Sequence, residues 1–207
     1  PGEINPIDRD LADKKWLIAY HSDNAPNYYY IYDRESKLSK LLFCDRPKLA
    51  QLPLVSVEPI SYQARDDLTI HGYLTLPQNI EPPYATVLLV HGGPWSRDTW
   101  RFDSRVQWLA NRGYAVLQPN FRGSTGYGKV FLNMGNRQWG GTMQDDLIDG
   151  VNWLIQTGIA NKNKMAIMGI SYGGYATLAG LTFTPDVFAC GVDVVGHSNL
   201  ITYLENI

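Results

Sequence analysis

The residues whose types and spacing suggest chemistry are Gly169-Ile170-Ser171-Tyr172-Gly173, which read G-x-S-x-G. In this pattern a serine occupies a sharp strand-to-helix turn, where its hydroxyl stands above the sheet edge and can attack a carbonyl carbon. The glycines leave room for the turn and accept its unusual backbone angles. The pattern therefore predicts acyl transfer through Ser171, provided that a strand precedes it and a helix follows.

The residues before this turn can form the required strand, and the residues after it can form the required helix. Residues 165–168 form a short apolar run of the length of a buried strand, and residues 175–179 are small and compatible with a helix. The sequence therefore predicts a strand, the turn and then a helix over residues 172–183.

A second glycine-rich loop follows another buried strand. The apolar run at residues 85–90 is typical of a strand covered on both faces, and His-Gly-Gly-Pro at 91–94 comes next. Ligands of parallel sheets bind at the carboxyl ends of the strands, so we expect this loop to meet the serine turn. Its glycines can offer one N–H to an oxyanion, with the N–H of Tyr172 as the second donor. An ordinary tight turn is the alternative, and we expect His91 to organise the loop rather than act as a base.

Two further segments are candidates with weaker patterns. In the glycine-rich loop at 120–128, Arg122 can meet a substrate carbonyl or carboxylate, or form a bidentate pair with Asp145 or Asp146. We favour the structural pair. We also expect Trp139 to pack the loop that precedes the helix predicted at 143–156.

A serine nucleophile needs a histidine base and a carboxylate that orients it. After Ser171 the sequence offers Asp186, Asp193, His197 and Glu205. Asp193 and His197 are too close to each other in sequence to reach both sides of the serine. We therefore expect the acid and the histidine beyond residue 207, and expect the 207-residue chain made alone to be inactive and poorly folded.

The residue composition and the predicted pattern of elements change near residue 50. Residues 16–20, 28–32 and 38–43 are aromatic and β-branched and are separated by polar turns, which predicts three antiparallel strands. These strands are typical of one β-propeller blade, and a three-stranded meander is the alternative. Residues 51–207 alternate strands with helices, which predicts an α/β fold with a mostly parallel sheet and helices on both faces.

Composition excludes several classes. The net charge is −2 without any basic run, so we expect no nucleic-acid partner and no membrane partner. Cys44 and Cys190 are predicted to be separate thiols rather than a disulfide. The compartment stays open, with the cytoplasm favoured over the periplasm or secretion, and a homo-oligomer is one alternative for the assembly.

The order of these motifs resembles the prolyl oligopeptidase family of serine peptidases. The similarity rests on Val90 to Pro94, on residues 120–128, on Trp139-Gly140-Gly141 with Asp145-Asp146, and on Gly169 to Gly174, and it covers about residues 56–200. It looks closest to the acylaminoacyl-peptidase and dipeptidyl-peptidase branch. The resemblance implies a β-propeller followed by an α/β-hydrolase domain. Residues 1–50 would then be the last propeller blade, and residues 51–207 the first part of the peptidase domain.

The resemblance also implies the site. Ser171 would be the nucleophile, and the N–H groups of Gly93 and Tyr172 would form the oxyanion hole. The implied reaction is hydrolysis of short peptides through an acyl-enzyme, without a cofactor or a metal. A carboxylesterase on the same fold and a catalytically inactive binding module are the alternatives.

Overall fold

The computed structural model describes residues 2–206, which form two compact units. The first contains the chain up to Val57 together with Trp100–Trp108, and the second contains Glu58–Thr99 and the chain from Leu109 onwards. The predicted boundary after residue 50 lies close to the first junction. The return of Trp100–Trp108 to the first unit was not predicted. The identity of the first unit as a propeller blade stays a prediction.

The first unit contains a four-stranded antiparallel sheet in the order β1-β2-β3-β4. Its strands are β1 (Glu3–Arg9), β2 (Lys15–His21), β3 (Tyr28–Asp33) and β4 (Leu38–Cys44). Strands β2 to β4 were predicted, whereas β1 was not. Its sequence, EINPIDR, has no clean alternation, and all seven of its residues are exposed. Hydrogen bonding to β2 therefore defines β1 as a strand, rather than burial of one face.

Long-range hydrogen bonds explain why Trp100–Trp108 lies in the first unit. The Phe102 N–H donates to the Ser22 carbonyl at 2.9 Å, and the Trp100 indole N–H donates to the Val57 carbonyl at 2.9 Å. The buried Gln107 amide accepts from the Val55 N–H at 2.9 Å and donates to the Val55 carbonyl at 2.7 Å. No local sequence pattern predicts such contacts.

The second unit contains a six-stranded sheet in the order β10-β9-β7-β8-β6-β5. Neighbours from β10 to β8 run parallel, and β6 pairs antiparallel with β8, so the prediction of a mostly parallel sheet is confirmed. The strands are β5 (Val57–Gln63), β6 (Thr69–Thr75), β7 (Tyr84–Val90), β8 (Ala115–Asn120), β9 (Ala160–Ile170) and β10 (Cys190–Val194).

Among residues 2–206, five α-helices accompany the strands, and a 3-10 turn lies at Leu49–Gln51. The helices are α1 (Ser104–Asn111), α2 (Lys129–Asn133), α3 (Thr142–Gln156), α4 (Tyr172–Phe183) and α5 (Leu200–Glu205). Helices α3 and α4 pack on the sheet of the second unit and share one core with its strands. In residues 2–206 no helix combines the length and the apolar character that a membrane span requires.

The core of the second unit lies between the parallel strands and helices α3 and α4. Leu88, Leu117 and Ile167 come from three neighbouring strands and are fully buried, as is Leu147 of α3. Strand β10 differs, because in the described sheet it has a strand neighbour on one side only, and Val192 is 50% exposed. Its apolar run is typical of a strand with neighbours on both sides, yet among residues 2–206 β10 is one of the two edge strands of this sheet, and β5 is the other. Cys190, which begins β10, and Cys44 are both unpaired, as predicted.

Candidate active site

Ser171 lies at the junction of β9 and α4, in a backbone conformation of φ 60° and ψ −117°. An L-residue rarely adopts these angles, and such strain persists only where the surroundings enforce it. Here the Ser171 N–H donates to the Val194 carbonyl at 2.9 Å, and the Tyr175 N–H donates to the Ser171 carbonyl at 3.0 Å. The predicted strand, turn and helix are confirmed, and α4 has the predicted bounds. The chemical role of Ser171 stays a prediction at this point.

Close approach of main chains explains the glycines of the turn. A Cβ atom on Gly169 would collide with the main chain of Gly173, and a Cβ atom on Gly173 would collide with the Val90 carbonyl oxygen. The second collision shows that the start of α4 touches the end of β7. The turn at Gly169–Gly173 and the carboxyl end of β7 are therefore in direct contact.

The loop at residues 91–94 lies beside the serine, as the sequence predicted. A Cβ atom on Gly92 would be 3.0 Å from the Ile170 carbonyl oxygen and 3.4 Å from Ser171 Cβ. Gly93 has φ +121°, and a Cβ atom there would be 2.7 Å from the Trp95 nitrogen. The parallel pairing of β7 with β9 causes this proximity, because the carboxyl ends of both strands meet at one sheet edge. The Gly92–Gly93 peptide thus borders Ser171.

His91 holds this loop with both ring nitrogens. Nδ1 lies 2.8 Å from the Gly92 carbonyl oxygen, and Nε2 lies 3.0 Å from Ser124 Oγ. The ring stacks on Phe121 with 4.4 Å between centroids. Burial lowers the pKa of His91 to about 4, with the Gly92 contact acting in the opposite direction, so the imidazole is neutral at pH 7. The structure agrees with the prediction that His91 organises the loop.

Arg122 has the predicted structural role, and the structure identifies its partners. Its guanidinium binds the buried Asp146 through Nε at 2.9 Å and Nη2 at 2.7 Å, and Asp66 through Nη1 at 2.7 Å. Asp145 instead pairs with Arg65 at 2.7 Å. Burial raises the pKa of Asp146, and the hydrogen bonds from Arg122 oppose that rise. This network holds the Phe121–Ser124 part of the loop after β8, against which His91 rests.

Trp139, which was predicted to pack the loop before α3, lies beside the serine turn. Its ring lies 4.7 Å from the Tyr172 ring and 5.1 Å from the Tyr175 ring, measured between centroids. The Trp139 ring also contacts the His197 ring at 5.8 Å and the Tyr203 ring at 6.1 Å between centroids. The Tyr172 side chain is fully buried, which raises the pKa of its phenol. These rings fix the start of α4, so the Tyr172 N–H, the predicted second oxyanion donor, sits on a rigid element.

The chain contains four histidines, and none of them hydrogen-bonds Ser171 within residues 2–206. His21 Nδ1 lies 2.7 Å from Asn27 Oδ1, and His71 stacks on Tyr127. His197 stacks on Tyr203 with 4.0 Å between centroids. The described residues therefore bring together the serine and the two candidate oxyanion donors, without a base for the serine.

Three residues of this site were not singled out from the sequence: Ser124, Phe121 and Asp66. Ser124 and Phe121 flank Arg122 in the glycine-rich loop, so the loop was found while its individual contacts were not. Asp66 lies in the turn between β5 and β6, where an acidic residue is common in any protein. Only the fold brings these residues to the His91 loop and to Arg122.

A mostly parallel sheet that carries a strained serine turn and a glycine-rich loop at neighbouring strand ends defines the α/β-hydrolase class. The profile described as the Prolyl oligopeptidase family matches residues 100–206, which are 107 of the 207 residues. The chain belongs to the prolyl oligopeptidase family.

Two curated relatives match the whole chain. Dipeptidyl aminopeptidase BIII of Pseudoxanthomonas mexicana is 53% identical, and the chain covers 31% of its length. Dipeptidyl peptidase family member 6 of Caenorhabditis elegans is 42% identical, again with 31% of its length covered. The chain thus spans about a third of the length of these relatives.

Solved structures agree with the fold. A puromycin-hydrolyzing peptidase of Mycobacterium tuberculosis superposes with a TM-score of 0.81 at 29% identity, over 94% of this chain and 31% of that protein. The acylaminoacyl peptidase of Pyrococcus horikoshii gives a TM-score of 0.82 at 25% identity, over 98% of this chain and 32% of that protein. The predictions of the family and of the α/β-hydrolase fold are confirmed, whereas the propeller blade stays a prediction.

Proposed function

We propose that this chain supplies the nucleophile and the oxyanion hole of a serine peptidase that cleaves short peptides through an acyl-enzyme. Ser171 attacks the scissile carbonyl, and the N–H groups of Gly93 and Tyr172 stabilise the tetrahedral oxyanion. No metal or cofactor is needed for these steps. The observation that carries the proposal is the strained backbone of Ser171, at φ 60° and ψ −117°, beside the Gly92–Gly93 peptide.

The general base is expected from a part of the protein outside residues 1–207. The four histidines in this chain have other contacts, and the matched relatives are about three times as long as the chain. Removal of the Ser171 proton needs a histidine that an acid orients, because a neutral hydroxyl is a weak nucleophile at pH 7. The Asp193 carboxylate accepts from the Gly196 N–H at 2.8 Å, three residues further along the chain.

The relatives favour peptides as the substrate class. The two matched over the whole chain are named dipeptidyl peptidases, and a structural neighbour is named an acylaminoacyl peptidase. We therefore propose cleavage near the N-terminus of short peptides. Ester cleavage uses the same groups, so a carboxylesterase is the second outcome that the experiment must separate.

The test uses the full-length protein with a fluorophosphonate probe and three matched fluorogenic substrates: a dipeptidyl amide, an N-acyl-aminoacyl amide and a simple ester. We expect one adduct, on Ser171, and turnover of a peptide amide. Ser171→Ala should abolish both, with a loss of activity on the order of 10⁵-fold. Labelling that survives this change contradicts the assignment of the nucleophile, and turnover of the ester alone identifies an esterase. A protein without adduct or turnover points to the inactive binding module.

We also propose that the four-stranded unit is a β-propeller blade. Its strands follow one another in the antiparallel order that propeller blades have, and one face lines an open groove with Trp16, Ile18, Tyr30 and Tyr32. Within residues 2–206 of the chain this groove has no cover. A blade buries such faces against neighbouring blades. Limited proteolysis of the full-length protein tests this, because a covered blade stays intact and an isolated sheet is cut in its turns.

A further inference from the structure

We propose that Ser124 is a positioning residue of the oxyanion hole, which acts through His91 on the peptide between Gly92 and Gly93. This inference rests on the proposed function, because it concerns the donor that Gly93 offers to the oxyanion. Ser124 does not touch the reacting atoms. Its hydroxyl lies 3.0 Å from His91 Nε2, and the opposite ring nitrogen lies 2.8 Å from the Gly92 carbonyl oxygen.

One planar peptide unit links the Gly92 carbonyl to the Gly93 N–H. The Gly92 carbonyl and the Gly93 N–H belong to the same planar trans peptide, so they point in opposite directions. A contact that fixes the Gly92 oxygen therefore also fixes the direction of the Gly93 N–H. Neither glycine has a side chain that could do this, and Gly93 has φ +121°, a region that side-chain-bearing residues rarely adopt. The orientation of the donor must come from a neighbour, and His91 is that neighbour.

The contacts of His91 decide which of its ring nitrogens carries the proton. A carbonyl oxygen only accepts hydrogen bonds, so Nδ1 must carry the proton that faces Gly92. In the neutral ring Nε2 then has a lone pair, and it needs a donor. The Ser124 hydroxyl is the group that lies in reach at 3.0 Å. If the proton moved to Nε2, two lone pairs would face each other across the 2.8 Å contact with Gly92.

The Ser124 hydroxyl has a single proton and faces two possible acceptors. Its oxygen also lies 2.7 Å from the Phe121 carbonyl oxygen, so two acceptors share one proton when His91 is neutral. Ser124 is fully buried, and water cannot replace its hydrogen bonds without entering the core. Phe121 stacks on His91 and keeps the ring in plane with these partners. The loop after β8 therefore sets the orientation of an N–H on the loop after β7.

The experiment measures kcat, KM and the affinity of a peptide aldehyde in the full-length protein. An aldehyde forms a tetrahedral adduct with the serine and uses the oxyanion hole, whereas a product peptide does not. Ser124→Ala should lower kcat about tenfold and weaken binding of the aldehyde by the same factor. The effect should be smaller than the factor of about a hundred or more for complete loss of an oxyanion donor, because the Gly93 N–H is only misdirected. KM and product affinity should stay within about twofold. Thr86→Val is the matched control, because it removes a buried hydroxyl that donates to the Tyr84 carbonyl at the far end of β7.

Two substitutions of His91 keep the test decisive if Ser124→Ala does not fold. An asparagine amide can donate from the position of Nδ1, whereas phenylalanine keeps the stacking and loses the donor. We expect His91→Asn to retain at least about three times the kcat of His91→Phe, because the donor to Gly92 survives. Equal kcat values for the two variants overturn the proposal. The proposal is also overturned if Ser124→Ala leaves kcat and aldehyde affinity unchanged. It is equally overturned if Ser124→Ala changes KM and product affinity as much as kcat.

Failure of the proposed function gives a different result. The wild-type protein would then carry no fluorophosphonate adduct on Ser171, whatever the behaviour of Ser124→Ala. If the adduct forms normally and the Ser124 and His91 variants behave as wild type, the positioning role alone is wrong.

Discussion

Two loops border the candidate site, and they are held in place by different means. The serine turn at Gly169–Gly173 is fixed by main-chain hydrogen bonds to Val194 and Tyr175 and by close main-chain contacts at its glycines. The loop at residues 91–94 is fixed by the His91 ring, which depends on a residue of another loop. One loop is therefore determined by its own backbone, and the other by side chains distant in sequence.

This difference indicates how each loop responds to substitution. In the serine turn, the glycines cannot be replaced without moving main chain, so the position of Ser171 is an all-or-none property. In the loop at 91–94, the donor direction depends on hydrogen bonds of moderate strength, so its effect on rate can be graded. The predictions below test this contrast, in order of decreasing effect.

The largest effect is expected for Gly173→Ala. A Cβ atom there collides with the Val90 carbonyl oxygen, so the serine and the neighbouring Gly92 must both move. A displacement of the nucleophile by about 1 Å costs roughly a hundredfold, and loss of an oxyanion donor a similar factor, so kcat/KM should fall by about 10⁴-fold. Gly158→Ala is the control: unlike Gly173, Gly158 has positive φ, at +75°, but it has open space around the new Cβ, and the change should cost only about 1 kcal/mol of stability. Equal losses in both variants would show that the close contact with Val90 does not set the position of the serine turn.

Arg122→Met tests the support of the second loop. It leaves the Asp146 carboxylate buried without its partner, and we expect a loss of about 3–5 kcal/mol in the free energy of unfolding. Arg65→Met is the matched change at an exposed arginine, whose pairs with Asp145 and Asp149 are largely screened by water and should contribute at most about 1 kcal/mol. Denaturant unfolding of both variants measures the difference. Similar values would mean that Arg122 does not hold the loop after β8.

Gly93→Val tests the donor itself. A side chain at φ +121° crowds the Trp95 nitrogen and turns the N–H away from the oxyanion. We expect kcat to fall by at least about a hundredfold, with a smaller change in KM. Steady-state kinetics on the preferred peptide substrate measures both. A near-normal kcat with a raised KM would instead identify the loop as a substrate contact.

The smallest effect is a pH dependence of stability that originates at His91. Its pKa is lowered from 6.5 to about 4 in the folded protein, mainly by burial, so the unfolded chain binds more protons between these values. Stability should therefore fall as the pH drops from about 6.5 towards 4, by on the order of 2 kcal/mol after allowance for partial exposure of the ring. Thermal midpoints across this range should decline less steeply in both His91→Asn and His91→Phe. A wild-type slope in these variants would assign the loss to other groups.

Much of the fold followed from local pattern. The apolar runs of β7 and β9, the bounds of α4, those of α3 to within one residue, and the serine turn were predicted, because buried strands, amphipathic helices and glycine turns each have a sequence period or a required residue type. Strand β1 was missed because it is exposed on both faces.

Sequence alone thus determined the fold class, the family and the two loops of the candidate site. Tertiary structure alone decided that Arg122 pairs with Asp146 and Asp66 rather than Asp145, and that Ser124 faces His91. It also decided that Trp100–Trp108 lies with the N-terminal unit. The physical reason is the range of the interactions. Periodicity and turn chemistry act over a few neighbours in the chain, whereas hydrogen bonds between loops depend on which strand ends the folded sheet brings side by side.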